Sequence, residues 1–134
     1  GNEGVQLGEG EVSFTLFYVR RPNQAAPRAA ELIVDHPEGL TFERAEPLSA
    51  VQLASKQLIA QPSEGQVRVI IMSPGNLNTL ESGPLARFVF QGAASAGAPR
   101  LRERTPYFAP LSANEGVTLD PSTSAAPTSG ESRE

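Results

Sequence analysis

The sequence predicts an all-β fold, because three of its features are typical of strands. Short apolar segments recur at intervals of about 8 to 14 residues, separated by Gly and Pro. Apolar and polar residues alternate within several of them, as at Val12, Phe14 and Leu16. The segment 66–72 is also rich in β-branched residues, which favour strands. With 134 residues in all, the chain has room for one such domain.

The predicted strands follow one another along the middle of the chain. The first segments are 12–16, 29–35 and 40–45, then 66–72 and 85–90, and then 100–104 and 107–111 on either side of a proline, with 116–119 last. The segment 51–60 is ambiguous, because the spacing of Leu53, Gln57 and Leu58 also permits a helical turn. Since prolines lie on both sides of it, we favour an extended or bulged strand.

The two ends of the chain differ in composition from the middle. Residues 121–134 contain no large apolar side chain, so we expect a flexible tail or linker there. Residues 1–4 are similarly polar and small, and are predicted to be a flexible leader. The folded domain is therefore expected to span residues 5–120.

Composition argues against several classes of function. The formal net charge of −4 gives no broad positive field to hold a phosphate backbone, so we expect no nucleic-acid partner. No apolar run approaches the roughly 20 residues that cross a bilayer, so no transmembrane segment is predicted. The absence of Cys excludes disulfides, thiolate metal sites and a cysteine nucleophile.

Catalytic and metal-binding signals are weak, and we predict neither an enzyme nor a bound cofactor or metal. His36 is the single histidine, and Asp35 beside it could orient its ring, but no serine motif supplies a nucleophile. The ligand spacing of zinc or EF-hand sites does not occur. One alternative stays open, a weak calcium loop formed by Asn114, Glu115 and Asp120.

A sugar-binding surface usually offers exposed aromatic rings. This chain has no Trp and two Tyr, at positions 18 and 107. Tyr18 falls in a segment rich in apolar residues, and Tyr107 lies beside Phe108, where packing is an equally good explanation. A carbohydrate-binding module therefore remains the alternative interpretation rather than the first.

The order of the segments resembles the cohesin family over about residues 5 to 120. The resemblance is carried by GEVSF at 10–14, ELIVDHP at 31–37, GLTFERAEP at 39–47, GQVRV at 65–69, SGPLARFVF at 82–90 and GVTL at 116–119. It is that of a divergent member, because Val34 stands where the family usually has an aromatic and His36 separates the aspartate from the proline of its turn.

The resemblance implies a nine-stranded jelly-roll β-sandwich that is not an enzyme. Cohesins bind dockerins, which are calcium-loaded helical modules, through one sheet face, and so attach proteins to a scaffold. The calcium would belong to the partner, and the protein would work outside the cell or on its surface, secreted or lipid-anchored. A structural domain of a surface lipoprotein, without a ligand, is a further alternative.

Strand alternation predicts which residues face outward. If Leu32 and Val69 point into the core, their neighbours on the two strands must point out. The outward set contains large apolar residues, and an apolar patch with a charged rim is typical of a docking surface. The resemblance implies that these strands, with the segments 52–56 and 100–104, form the partner-binding sheet. The predicted binding residues are the apolar anchors Ile33, Ile70 and Met72, with the charges Glu31, Asp35, Arg68 and Arg102.

Overall fold

The fold is built almost entirely from strands. A computed structural model describes residues 10–23, 26–102 and 116–122. In these ranges the strands are β1 (Glu11–Tyr18), β2 (Ala30–Asp35), β3 (Thr41–Pro47), β4 (Gln57–Ser63), β5 (Gln66–Met72), β6 (Gly83–Gln91), β7 (Arg100–Leu101) and β8 (Val117–Pro121). A short helix, α1 (Ser49–Leu53), precedes β4, and a 3-10 turn (Ala94–Ala96) follows β6. No helix in the described ranges is long and apolar enough to span a membrane.

The strands form two four-stranded antiparallel sheets. The first sheet has the order β3-β6-β1-β8 and the second has the order β4-β5-β2-β7. The predicted all-β sandwich is confirmed at this level. The count of nine strands stays a prediction, because residues 103–115, which include the segment 107–111, lie outside the described residues.

Side chains from the inner faces of both sheets make one apolar core. Its fully buried members include Leu16 and Phe88 from the first sheet and Leu32 and Val69 from the second. The ring of Phe90 lies 6.1 Å from that of Phe14, in an edge-on arrangement that aromatic pairs favour. This core fixes which face of each strand is turned outward.

Alternation along β5 confirms the expected register. Val67, Val69 and Ile71 are each 0% exposed, whereas the residues between them are half-buried. Strand β4 joins β5 through a two-residue turn, in which Gly65 has a φ of +73° that a glycine adopts without strain. A shift of one residue would place the charge of Arg68 in the core, so the pattern specifies the pairing.

The strand interpretation of 51–60 is wrong for its first residues. The chain leaves the first sheet at the end of β3 and enters the second at β4, and α1 makes this crossing. Helix α1 buries Val51 completely against the core, and the positive φ of Ser55 (55°) then redirects the chain into β4. The extended interpretation holds from Gln57 onward.

The last described strand runs beyond the predicted end of the domain. Strand β8 includes Pro121, and the amide of Ser122 donates to the carbonyl oxygen of Ser13 over 3.0 Å. The hydroxyls of Ser122 and Thr15 are also 2.7 Å apart. Residues 121 and 122 therefore pair with β1, although the sequence places them in the tail. The leader at residues 1–4 and the rest of the tail lie outside the described residues.

Candidate functional site

The outer face of the second sheet holds all seven sequence-predicted binding residues. Strand β2 contributes Glu31, Ile33 and Asp35, strand β5 contributes Arg68, Ile70 and Met72, and Arg102 follows β7 directly. The residues that alternate with them on β2 and β5 belong to the core. The register pairs Glu31 with Ile70 and Ile33 with Arg68, so the residues of β2 and β5 are direct neighbours across the strands.

Two ion pairs cross this face diagonally. Arg68 Nη1 lies 2.6 Å from Glu31 Oε2. Arg102 holds Asp35 in a two-pronged contact, with Nε donating to Oδ2 over 3.0 Å and Nη2 donating to Oδ1 over 2.6 Å. The hydrogen bond to Asp35 is the main cause that raises the pKa of Arg102, and the Asp35 charge adds to it. The four charged residues therefore satisfy one another within the chain.

Ile33 lies between the two arginines and is not an exposed anchor. Its side chain is only 1% exposed, so the expectation that it contacts solvent is wrong. Arg68 stands opposite Ile33 on one side, and on the other the amide of Arg102 donates to the Ile33 carbonyl oxygen over 2.8 Å. Arginine stems lie along apolar surface while their charged heads reach outward. Here the heads reach the two acids that flank Ile33 along β2.

The apolar part of the face lies instead on β4 and β5. Ile59 is 37% exposed and stands directly opposite Ile70, which is half-buried. Met72, two residues along β5, is also half-buried. We call Ile59, Ile70 and Met72 the apolar strip. Sequence reasoning missed Ile59, although its alternation with Leu58 and Ala60 carried the signal.

The outer face of the first sheet has a different character, because a charged network covers part of it. Arg44 Nε lies 3.0 Å from Glu46 Oε2, and Arg87 Nη1 lies 3.1 Å from Glu46 Oε1. Arg44 also approaches Glu11 at 3.4 Å. Burial tends to raise the pKa of Glu46, but the hydrogen bonds and charges of the two arginines outweigh it and lower the pKa. The charged network therefore occupies the part of this face that β3 and β6 form, whereas Phe17 on β1 is 39% exposed.

The lowered pKa of Glu46 predicts an acid-dependent loss of stability. A carboxyl group whose pKa falls on folding stabilises the fold above its unfolded pKa, and the contribution disappears as pH falls through the folded pKa. We expect Glu46→Gln to lower the free energy of unfolding at pH 7 by less than about 1 kcal/mol, since the pair is partly exposed. Urea denaturation of both proteins should show the difference shrinking as the pH falls below the usual glutamate pKa of about 4.3. A difference that persists at low pH would contradict the assignment.

His36 packs against the aromatic part of the core. Its ring lies 5.2 Å from the ring of Phe90, and its Nδ1 lies 3.3 Å from the carbonyl oxygen of Pro37. Both carboxylate oxygens of Asp35 accept from Arg102. In the described part of the chain Asp35 thus pairs with Arg102, while His36 Nδ1 faces the carbonyl oxygen of Pro37.

Metal ligands do not gather in the described part of the chain. No three acidic or histidine side chains there could hold one ion. Of the weak calcium loop allowed by the sequence, Asp120 is an exposed residue of β8, while Asn114 and Glu115 lie outside the described residues.

The two tyrosines are the aromatic residues that the sequence offers to a sugar ring. Tyr18 is 0% exposed and belongs to the core, so it cannot stack on a ligand. Tyr107, the other candidate, lies outside the described residues.

Comparison with family models, with curated proteins and with solved structures finds no match for this chain. Assignment of a function therefore depends on the surfaces of the sandwich itself.

Proposed function

We propose that the chain is a non-catalytic protein-interaction module, a divergent cohesin-like jelly roll that docks a partner on the outer face of its second sheet. The observation that supports this most is the apolar strip beside the two diagonal ion pairs. Stable interfaces combine an apolar centre with a polar or charged rim. Ile59 and Ile70 would supply the centre, and the pair of Glu31 and Arg68 the neighbouring rim.

The geometry of the charges suits recognition rather than catalysis. A partner that places charged groups near the rim would meet two acids and two arginines whose positions are fixed by contacts of 2.6 Å. Such groups orient a partner and reject mismatched ones more than they add affinity. Because Ile33 is buried between the strand positions of Arg68 and Arg102, it would support this face instead of touching the partner.

The partner that the family resemblance favours is a dockerin-type module loaded with calcium. The module would present helices to the flat sheet, and the calcium would be part of the module. This role would be performed outside the cell or on its surface, in the assembly or anchoring of other proteins.

The experiment is a binding assay against the dockerin-type modules encoded in the same genome. The chain, an Ile70→Asp variant and a Thr41→Asp control are each immobilised and tested with and without calcium. Thr41 is exposed on β3, at the edge of the first sheet, so the control adds the same charge elsewhere. We expect Ile70→Asp to weaken binding about 30-fold, the size of one interface hot spot of about 2 kcal/mol, and Thr41→Asp to change it little.

Two results would count against the proposal. Failure of every module to bind in either condition would remove the proposed partner class. Equal binding by Ile70→Asp and the unmodified chain would remove the proposed face. Retardation of the chain in a polysaccharide gel without any module bound would instead support a carbohydrate-binding module.

A further inference from the structure

A second apolar feature lies at the end of the sandwich where α1 meets the loop between β5 and β6. Leu53 at the end of α1 is 85% exposed, and Leu77 in the loop is 74% exposed. They line one groove of about 490 Å³, whose floor includes Ala50, Ala54 and Gly83. These two leucines are more exposed than any member of the apolar strip.

A buried lysine ties this loop to the chain beside α1. Lys56 is only 8% exposed, and its Nζ donates to Asn76 Oδ1 over 2.7 Å and to the Asn76 carbonyl oxygen over 3.4 Å. The Asn76 side chain in turn donates to the carbonyl oxygen of Ser55 over 3.1 Å. Burial of an ammonium group is costly unless hydrogen bonds compensate it. Here the two hydrogen bonds to Asn76 compensate the burial of the Lys56 ammonium group, and they also fix the loop.

The loop is fixed on both sides of Leu77. The side-chain amide of Asn78 donates to the carbonyl oxygen of Ala54 over 3.0 Å. The backbone N–H of Asn78 donates to Asn76 Oδ1 over 3.0 Å. Leu77 is thus held exposed between two anchored asparagines. A side chain presented by an ordered loop loses little conformational freedom on binding, so more of the contact energy is realised as affinity.

We propose that this groove binds a short segment of a partner protein in which a large apolar side chain stands next to a lysine or arginine. The volume is within the range of about 300–1,000 Å³ typical of ligand sites. Glu81 is the charged residue among those that line the groove in the described ranges, and it lies exposed. Arg20 is nearby, since its amide donates to Ser82 Oγ over 2.9 Å, but its side chain does not line the groove.

The size of the patch favours a segment over a second copy of the chain. Two exposed leucines offer an area on the order of 300 Å², whereas a stable dimer buries about 800 Å² per partner. In a symmetric contact Glu81 would also approach its own copy, and the formal net charge of −4 disfavours self-association. This site is separate from the apolar strip, so it does not depend on the function proposed above.

The test selects 12-residue peptides from a displayed random library on the immobilised chain and remeasures the best with synthetic, fluorescently labelled copies. The variants are Leu77→Asp in the groove, Glu81→Gln at its rim and Ile70→Asp on the outer face of the second sheet, outside the groove lining. We expect enriched peptides to place Lys or Arg beside Leu, Ile, Met or Phe. They should bind Leu77→Asp at least about tenfold more weakly, Glu81→Gln about threefold more weakly, and Ile70→Asp with unchanged affinity.

Several results would overturn the inference. These are no enrichment over a selection without the chain, enrichment of acidic peptides, and equal binding to Leu77→Asp. Because Leu77 is largely exposed, the variant should fold, and its melting temperature gives the check. A Lys56→Met variant keeps the apolar stem and removes the ammonium group that fixes the loop. It should also bind the peptide more weakly; unchanged affinity would show that the fixed loop does not contribute to binding.

Discussion

Replacing Phe90 with alanine should lower the free energy of unfolding by about 3–5 kcal/mol, the largest single effect we expect from a side-chain truncation. Phe90 lies in β6, which pairs with both β1 and β3 in the first sheet, and it is 0% exposed. Its ring contacts the rings of Phe14, His36 and Phe42 at centroid distances of 6.1, 5.2 and 5.8 Å. Removal leaves a cavity that rings on three different segments cannot all move to fill.

Urea denaturation of Phe90→Ala, with Phe17→Ala as the control, measures this effect. Phe17 is on the outer side of β1 and is 39% exposed, so its loss should cost about 1 kcal/mol or less. The denaturation midpoint of Phe90→Ala should therefore fall well below that of the control. Equal midpoints would mean that Phe90 is not at the centre of the core.

Replacing Gly92 with alanine should destabilise the fold by about 3 kcal/mol through the backbone rather than the core. Gly92 has a φ of +141°, which L-residues with a side chain rarely adopt. A Cβ atom at position 92 would stand 2.4 Å from the carbonyl oxygen of Gly39. The backbone amide of Gly92 also donates to the Gly10 carbonyl oxygen over 2.8 Å, which holds the residue in place. Both neighbours are backbone atoms, so neither can turn aside.

Two other glycines separate the causes of this effect. Gly65 has a φ of +73° but open space where its Cβ would lie, so Gly65→Ala should cost about 1 kcal/mol from conformation alone. Gly75 has neither constraint, so Gly75→Ala should be neutral or slightly stabilising. Thermal unfolding of the three variants should rank them in this order. A Gly92→Ala protein as stable as Gly65→Ala would show that the close contact is relieved cheaply.

The two-sheet fold and the faces of β2 and β5 follow from the sequence because they depend on local alternation. A period of two places Leu32 inside and Glu31 outside whatever the rest of the chain does, provided that the strand forms. The apolar content of β5 then decides which side is inner. The helical turn of α1 did not follow, because five residues carry too little periodicity to distinguish a helix from a bulged strand.

The burial of Ile33 could not be predicted from its own segment. Ile33 lies between Arg68 and Arg102, which reach Glu31 and Asp35 across 37 and 67 residues of chain. The groove at the end of the sandwich has the same origin, since Lys56 and Asn76 are 20 residues apart and each looks like an ordinary loop residue in the sequence. Contacts between distant segments made both features.

The sequence-based site prediction chose one wrong anchor but the same sheet face as the apolar strip. The predicted face contains one buried anchor, Ile33, and lacks one exposed residue, Ile59. The face itself is unchanged, because Ile59 stands opposite Ile70 on the neighbouring strand. The apolar centre of the proposed interface therefore moves toward the β4 edge of the sheet.

Nuclear magnetic resonance titration tests the proposed docking face most directly. Calcium-loaded dockerin-type modules from the same genome are added to the isotopically labelled chain, and shifts are followed for the methyl groups of Ile59, Ile70 and Met72. We expect at least one module to perturb these signals while those of Val89, on the opposite sheet, stay in place. Signals of the strip that do not move with any module, or changes confined to the first sheet, would contradict it.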